Sequence, residues 1–429
     1  MAHSASVSDG KRSSAAHPRS INANGKAYRW PDDPLVVVCL DGGQPEYIEA
    51  ALDRNLVPNI SAFMRDGFAA IAEGAMPSFT NPNNISIISG VPPSVHGISG
   101  NYFLDPETGE AVMMNEARFL RAESLLAVFS EHGAKVASIT AKDKLSRMLS
   151  HGVKGGIAFS AEKADECSLA ENGIENCLDY VGMPLPDVYS ADLSLFVLEA
   201  GVKVLERERP DIMYLSLTDY IQHKHAPGSP EANEFYQKID NGLGRLSRSG
   251  AIVAITGDHG MNDKSRDDGA PNVIYLQDVL EQEFGTGESD VILPITDPYV
   301  VHHGALGSFA SVFIRNGAVM DSAVNSLRKL PGVEEVMKRE TAAQKLELPA
   351  DRIGDIVVIA DKETVLGKRA ADHDLSLLGG MRLRSHGGLA DRQVFFILSR
   401  PLNNFYQNIA QTRQLLNYEI FDFALNGLL

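Results

Sequence analysis

The chain has 429 residues, 44% of them hydrophobic, with 37 glycines and 21 prolines, which is enough for one large α/β domain carrying an insertion, or for two domains. A formal net charge of −17 argues against a binder of nucleic acid or of an anionic membrane, since both need basic surface; a small anionic substrate stays open if metal ions and a few lysines reverse the field locally. Cys39, Cys167 and Cys177 are too few and too unevenly spaced for a disulfide framework or a cysteine-rich zinc site.

Residues 1–30, rich in Ser, Ala, Asn and basic side chains, contain no apolar signal-peptide core and read as a flexible N-terminal arm. No later segment approaches the ~20 apolar residues that cross a bilayer, so a reducing cytoplasm is the expected compartment. A homodimer is compatible with the sequence. The apolar run Leu35 to Leu40 ends in Asp41-Gly-Gly, as expected of a central parallel strand delivering a side chain to the sheet's carboxyl edge. Helical periodicity follows over Ile60 to Asp66 and Glu123 to His132, then over Ala191 to Glu208 and Pro230 to Ser247. Buried strands are expected over Lys135 to Thr140, Asp211 to Leu217 and Ala251 to Thr256. This alternation predicts a doubly wound, mostly parallel α/β sheet with ligands beyond the strands' carboxyl ends. Past Met261 the rhythm weakens into short strands near Ser311 to Arg315 and Gly354 to Ala360, before a last apolar block, Val394 to Leu398. The expected division is a core of residues 31–271 and 369–429 with a smaller α+β cap inserted at 272–368.

Polar residues cluster where these strands end. Taken alone, Asp41 reads as a turn cap. Asp219 and His223 stand four residues apart, so a helix starting after Leu217 would put both on one face, fit either for one metal or for a solvated pair. Asp258 and His259 directly follow a buried strand, where polar groups have little packing role. Thr80 precedes Asn81-Pro82, and the sequence predicts it just before a helix running through Ile88, where free amides favour an alkoxide and a phosphoryl group. A simple capping threonine is the competing reading.

In combination, Asp41, Thr80 in TNPN, SGVPPSVHGI, Asp219-x-x-x-His223, Asp258-His259-Gly260 and His386 in SHGG resemble the nucleotide pyrophosphatase/phosphodiesterase branch of the alkaline phosphatase superfamily, over Leu35 to about Gly388. The resemblance implies an alkaline phosphatase-like fold and two zinc ions. One would be held by Asp219, His223 and His386, and the other by Asp41, Asp258, His259 and the Thr80 oxygen, with Thr80 as nucleophile. Three carboxylates and three imidazoles suit zinc better than magnesium, which prefers oxygen ligands. His373, in DHDL, competes with His386, while His302 and His303 fall in the expected cap.

Within that branch, GNYF and the pair Lys142/Lys144 in TAKDK look most like the members that cleave phosphonoacetate to acetate and phosphate through a phosphothreonine intermediate. Two zincs carry four positive charges, and Asp41, Asp219, Asp258 and a Thr80 alkoxide offset all four. An added polyanion therefore needs further cations, and Lys142 and Lys144 follow a predicted strand at the sheet edge. Asn101, in GNYF, is expected either to donate to a phosphoryl oxygen or to serve as a turn residue. The rival is a nucleotide pyrophosphatase/phosphodiesterase using the same two-zinc site, with Tyr47, Phe79, Tyr102, Phe103 or Tyr220 forming a nucleobase slot.

Overall fold

The computed structural model describes residues 18–296 and 304–429. Eight strands form the main sheet in the order Leu415–Leu416, Phe68–Glu73, Gln393–Leu398, Ile252–Gly257, Leu35–Leu40, Ile212–Ser216, Val136–Thr140 and Ile157–Ser160. Gln393–Leu398 runs antiparallel to both neighbours, and the remaining pairs are parallel. Leu35–Leu40, Ile212–Ser216 and Ile252–Gly257 are buried along their whole length, which is why they appear in the sequence as unbroken apolar blocks rather than alternating ones. Helices Asp192–Glu208 and Pro230–Arg248 bury their apolar stripes in one hydrophobic core, and Ile420–Asn426 packs into another that also takes in Leu35, Val37 and Cys39. The layers are those of the predicted doubly wound α/β fold.

A separate four-stranded antiparallel sheet, in the order Ser289–Ile292, Phe309–Ile314, Ile356–Ala360, Val333–Lys338, lies within residues 272–368 and has its own core around Phe309, Val312 and Val358. Four adjacent parallel strands of the main sheet, Ile252–Gly257, Leu35–Leu40, Ile212–Ser216 and Val136–Thr140, all end at one edge. In that order they deliver Asp258 with His259, Asp41, Asp219 with His223, and Lys142 with Lys144. The lateral sequence of chemical groups along the site follows from strand order.

Two expectations need correction. Part of the N-terminal arm, residues 1–30, is ordered: Ser20–Ala23 and Lys26–Arg29 pair as a hairpin, with Ile21, Ala23 and Tyr28 in the core. The two-residue loop is Asn24-Gly25, at φ 47° and 82°, a turn whose backbone matches the strands' right-handed twist. Polar composition hid this short alternating pattern. The second correction concerns Thr80, which is not outside the helix but its first residue: the helix is Thr80–Ser89 and Phe79 precedes it. Asn81 is helical despite the proline after it. Its backbone N–H donates to Asn101 Oδ1 (3.0 Å) and its side chain to Met114 O (2.9 Å), so tertiary contacts outweigh the local preference.

Candidate active site

The loops at the sheet's carboxyl edge bring Asp41, Thr80, Asn101, Lys142, Lys144, Asp219, His223 and His386 around one cavity, with Leu145, Leu217 and Ile295 as apolar wall. Asp258 and His259 lie against it: His259 Nε2 is 3.2 Å from Asp41 Oδ1, 3.4 Å from Thr80 Oγ1 and 3.7 Å from Asp258 Oδ2. On the other side, His223 Nε2 is 2.8 Å and His386 Nε2 3.9 Å from Asp219 Oδ2. Two groups of potential ligands result, Asp41–Asp258–His259 and Asp219–His259–His386. His259 belongs to both, and its ring stacks on His386 with centroids 3.6 Å apart.

All three imidazoles are oriented in the same way. Nδ1 of His223 faces Arg384 O (2.8 Å), Nδ1 of His259 faces Gly260 O (2.9 Å) and Nδ1 of His386 faces Ser78 O (2.7 Å). A carbonyl can only accept, so each Nδ1 carries a proton and each Nε2 is the nitrogen turned to the site, the orientation a metal requires once Nε2 gives up any proton it holds. The turn before Gly388 makes this possible for His386: Gly387 sits at φ 119°, and a Cβ there would stand 2.4 Å from the Phe79 ring. His373, the competitor, has both ring nitrogens occupied by Lys368 N (3.0 Å) and Gly304 O (2.7 Å) and is held away from the site. His302 and His303 lie outside the described residues.

The electrostatics fit cations. Asp41, Asp219 and Asp258 are 5%, 6% and 0% exposed, too deep for three unscreened negative charges. Burial, followed by repulsion from Asp219, raises Asp41; burial, followed by Asp41, raises Asp258 well above the usual carboxylate range. Burial also works upward on Asp219, but His223, Lys142 and His386 outweigh it and hold this carboxyl well below that range. For His259, burial favours the neutral ring, whereas Asp258 and Asp41 draw it up to about 10. Asp41 Oδ1 is buried, and beyond the ion-pair contact with His259 Nε2 at 3.2 Å it has no hydrogen bond. Divalent metal ions would restore the ionised carboxylates, give that oxygen a further partner and displace the proton from His259.

Lys142 and Lys144 flank Asp143, whose backbone N–H donates to Glu162 Oε2 (2.9 Å), so the lysine turn is fastened to the neighbouring segment. Burial, with Lys142 beside it, lowers Lys144 to about 7 against the opposing pull of Asp219, Glu162 and Asp41. Asn101 accepts the Asn81 N–H through Oδ1. That bond fixes the amide's orientation and also consumes one of the helix amides that the sequence had offered to the phosphoryl group.

Residues 35–388 match the model of the type I phosphodiesterase / nucleotide pyrophosphatase family. The chain belongs to this family. Among solved structures, phosphonoacetate hydrolase from Sinorhizobium meliloti 1021 in complex with phosphonoformate is 47% identical, with a TM-score of 0.90 over 96% of this chain and 99% of that one. The same enzyme in complex with phosphonoacetate gives 46% identity and a TM-score of 0.89 over the same shares of the two chains. An uncharacterized pyrophosphatase/phosphodiesterase of Schizosaccharomyces pombe is 26% identical over 223 residues, 49% of this chain and 40% of that protein. The chain thus spans less than half of that family member.

Sequence reading missed the residues that aim the ligands. Arg384, 8% exposed, donates to Gln222 O (2.8 Å), Met261 O (2.9 Å) and Tyr47 Oη (3.2 Å) while its carbonyl takes His223 Nδ1. Its place two residues before His386 was the available signal. Tyr47 is stacked on Tyr236 (5.3 Å, 8°) and Phe79 packs edge-on to His386 (5.5 Å). Among the described residues none of the five aromatic candidates for a nucleobase slot lines the cavity.

Proposed function

We propose that this chain hydrolyses phosphonoacetate to acetate and phosphate. The observation that carries the reading is the pairing, in one cavity, of a two-metal donor set with two lysines and no aromatic wall among the described residues. The open space between the side chains is about 50 Å³, small beside the ~300–1,000 Å³ of clefts that enclose drug-sized ligands. It matches a compact polyanion better than a nucleotide. The 46–47% identity to an enzyme solved with phosphonoacetate and phosphonoformate supports the same choice.

Asp219, His223 and His386 would hold one zinc and Asp41, Asp258, His259 and Thr80 the other, with His259 near both. When bound, the two ions supply Lewis acidity that acidifies the Thr80 hydroxyl and neutralises phosphoryl charge. Thr80 Oγ1 attacks phosphorus, the phosphorus–carbon bond breaks, and its electron pair passes to acetate as an enediolate. Lys142 and Lys144 neutralise the charge growing on the carboxylate, an oxyanion-hole role. Water then releases Thr80 as phosphate leaves. The hydrogen gained by the acetate methyl and the oxygen gained by phosphate together account for one water. Asn101 Nδ2 binds a phosphoryl oxygen, its Oδ1 being engaged elsewhere.

Phosphate and acetate should appear in equal amounts from phosphonoacetate, with a kcat/KM far above that for a bis-aryl phosphate, in enzyme whose zinc content is measured on the same sample. A strong preference for the diester would establish the phosphodiesterase reading instead. Lys144 adds a pH dependence. Its depressed pKa leaves it neutral in the free enzyme above about 7, while a bound carboxylate favours the charged form. KM for phosphonoacetate should therefore rise as pH increases through 7. Comparing wild type with Lys144→Arg, which stays charged, cancels titration of the substrate itself; identical KM profiles would refute the lysine assignment.

A further inference from the structure

Asn84 lies four residues beyond Thr80 on the same helix and is completely buried. Its amide uses every hydrogen-bonding position it has. Oδ1 accepts from Tyr214 Oη (2.8 Å) and Ser216 Oγ (2.9 Å), and Nδ2 donates to Thr80 O (3.0 Å) and Asp258 Oδ2 (3.2 Å). We infer that Asn84 is a positioning residue that locks the helix carrying the nucleophile to a metal-ligating carboxylate and to the central strand Ile212–Ser216.

The chemistry of the four partners explains why an amide is needed. Two hydroxyls require an acceptor, while a carbonyl and a carboxylate require donors, and one short side chain must serve all four. Asp258 has its other oxygen held by Gly42 N (3.2 Å) and His259 N (2.9 Å), so the Asn84 contact completes the fixing of that carboxylate. Gly42 is placed for this by φ 66° in the DGG turn, with Asp219 Cβ only 3.3 Å from where a Cβ would stand. Through Asn84, the first turn of the Thr80 helix cannot shift relative to Asp258 without breaking a buried hydrogen bond. Small misplacements of a nucleophile are costly to rate.

The inference rests on Thr80 being the nucleophile, which Thr80→Ala tests separately. Kinetics of Asn84→Ala are to be measured on phosphonoacetate and on a bis-aryl phosphate at saturating zinc, with bound zinc and Tm determined on the same preparation. The expected result is a kcat per fully metallated site about 10- to 100-fold lower on both substrates, with KM within about threefold of wild type. An unchanged kcat per metallated site, any activity loss being accounted for by lost zinc, would reduce Asn84 to a structural role and overturn the inference. Tyr214→Phe combined with Ser216→Ala serves if Asn84→Ala does not fold. It frees the amide to rotate while keeping its donors, and should lower kcat at least about fivefold with KM preserved; unchanged kcat in that variant would overturn the inference equally.

Discussion

Thr80→Ala is expected to reduce release of phosphate from phosphonoacetate by about 10⁴-fold or more, the scale on which removing a covalent nucleophile acts, while both metal sites stay filled. The second half follows from the donor count. In the proposed assignment Asp41, Asp258 and His259 would remain around one position and Asp219, His223 and His386 around the other, with each imidazole still held by its carbonyl. Thr80→Ser keeps a hydroxyl at the first residue of the helix and should retain measurable turnover, which separates loss of the nucleophile from disturbance of the helix. Metal content by elemental analysis and a phosphate assay under single-turnover conditions decide the matter. Phosphate release at the wild-type rate by Thr80→Ala would remove the residue from the chemistry.

Whether such a residue is legible in sequence depends on how local its constraints are. Asp41, Asp219 and Asp258 could be found because each follows a buried parallel strand, and the strand announces itself as an apolar block. Lys142 and Lys144 were found in the same way. The register of Thr80 was misjudged by one residue because Asn81 is held in the helix by Asn101 and Met114, contacts that local preference does not contain. His386 is aimed by a carbonyl 308 positions away, at Ser78, so its motif could be recognised but its orientation could not. The helices Leu276–Phe284, Met320–Leu327 and Asn404–Thr412 are only eight or nine residues long, too short for their apolar spacing to stand out in the sequence. Strand order, which sets the lateral sequence of groups along the cavity, is likewise a property of pairing between distant segments.

That lateral order bears on the second large effect. Five of the donors, Asp41, Asp219, His223, Asp258 and His259, follow the ends of three adjacent strands, and the lysines follow the fourth. An in-line displacement places the departing carbon opposite Thr80 across phosphorus, so the carboxylate must find its cations away from the nucleophile, and Lys142 and Lys144 are those the cavity offers among the described residues. Lys142→Ala and Lys144→Ala should each lower kcat/KM for phosphonoacetate by about 10²–10³, or roughly 3–4 kcal/mol, the range for losing one oxyanion-stabilising donor in an enclosed site. A bis-aryl phosphate has a phenolate leaving group that needs no such help, and its kcat/KM should change by no more than about threefold. The division between constants separates two roles for each lysine: a rise in KM alone marks uniform binding of the carboxylate, whereas a fall in kcat marks stabilisation of the enediolate as the phosphorus–carbon bond breaks. Equal losses on the two substrates would mean that the lysines serve the phosphoryl group common to both, and the preference for a carboxylated phosphonate would then need another origin.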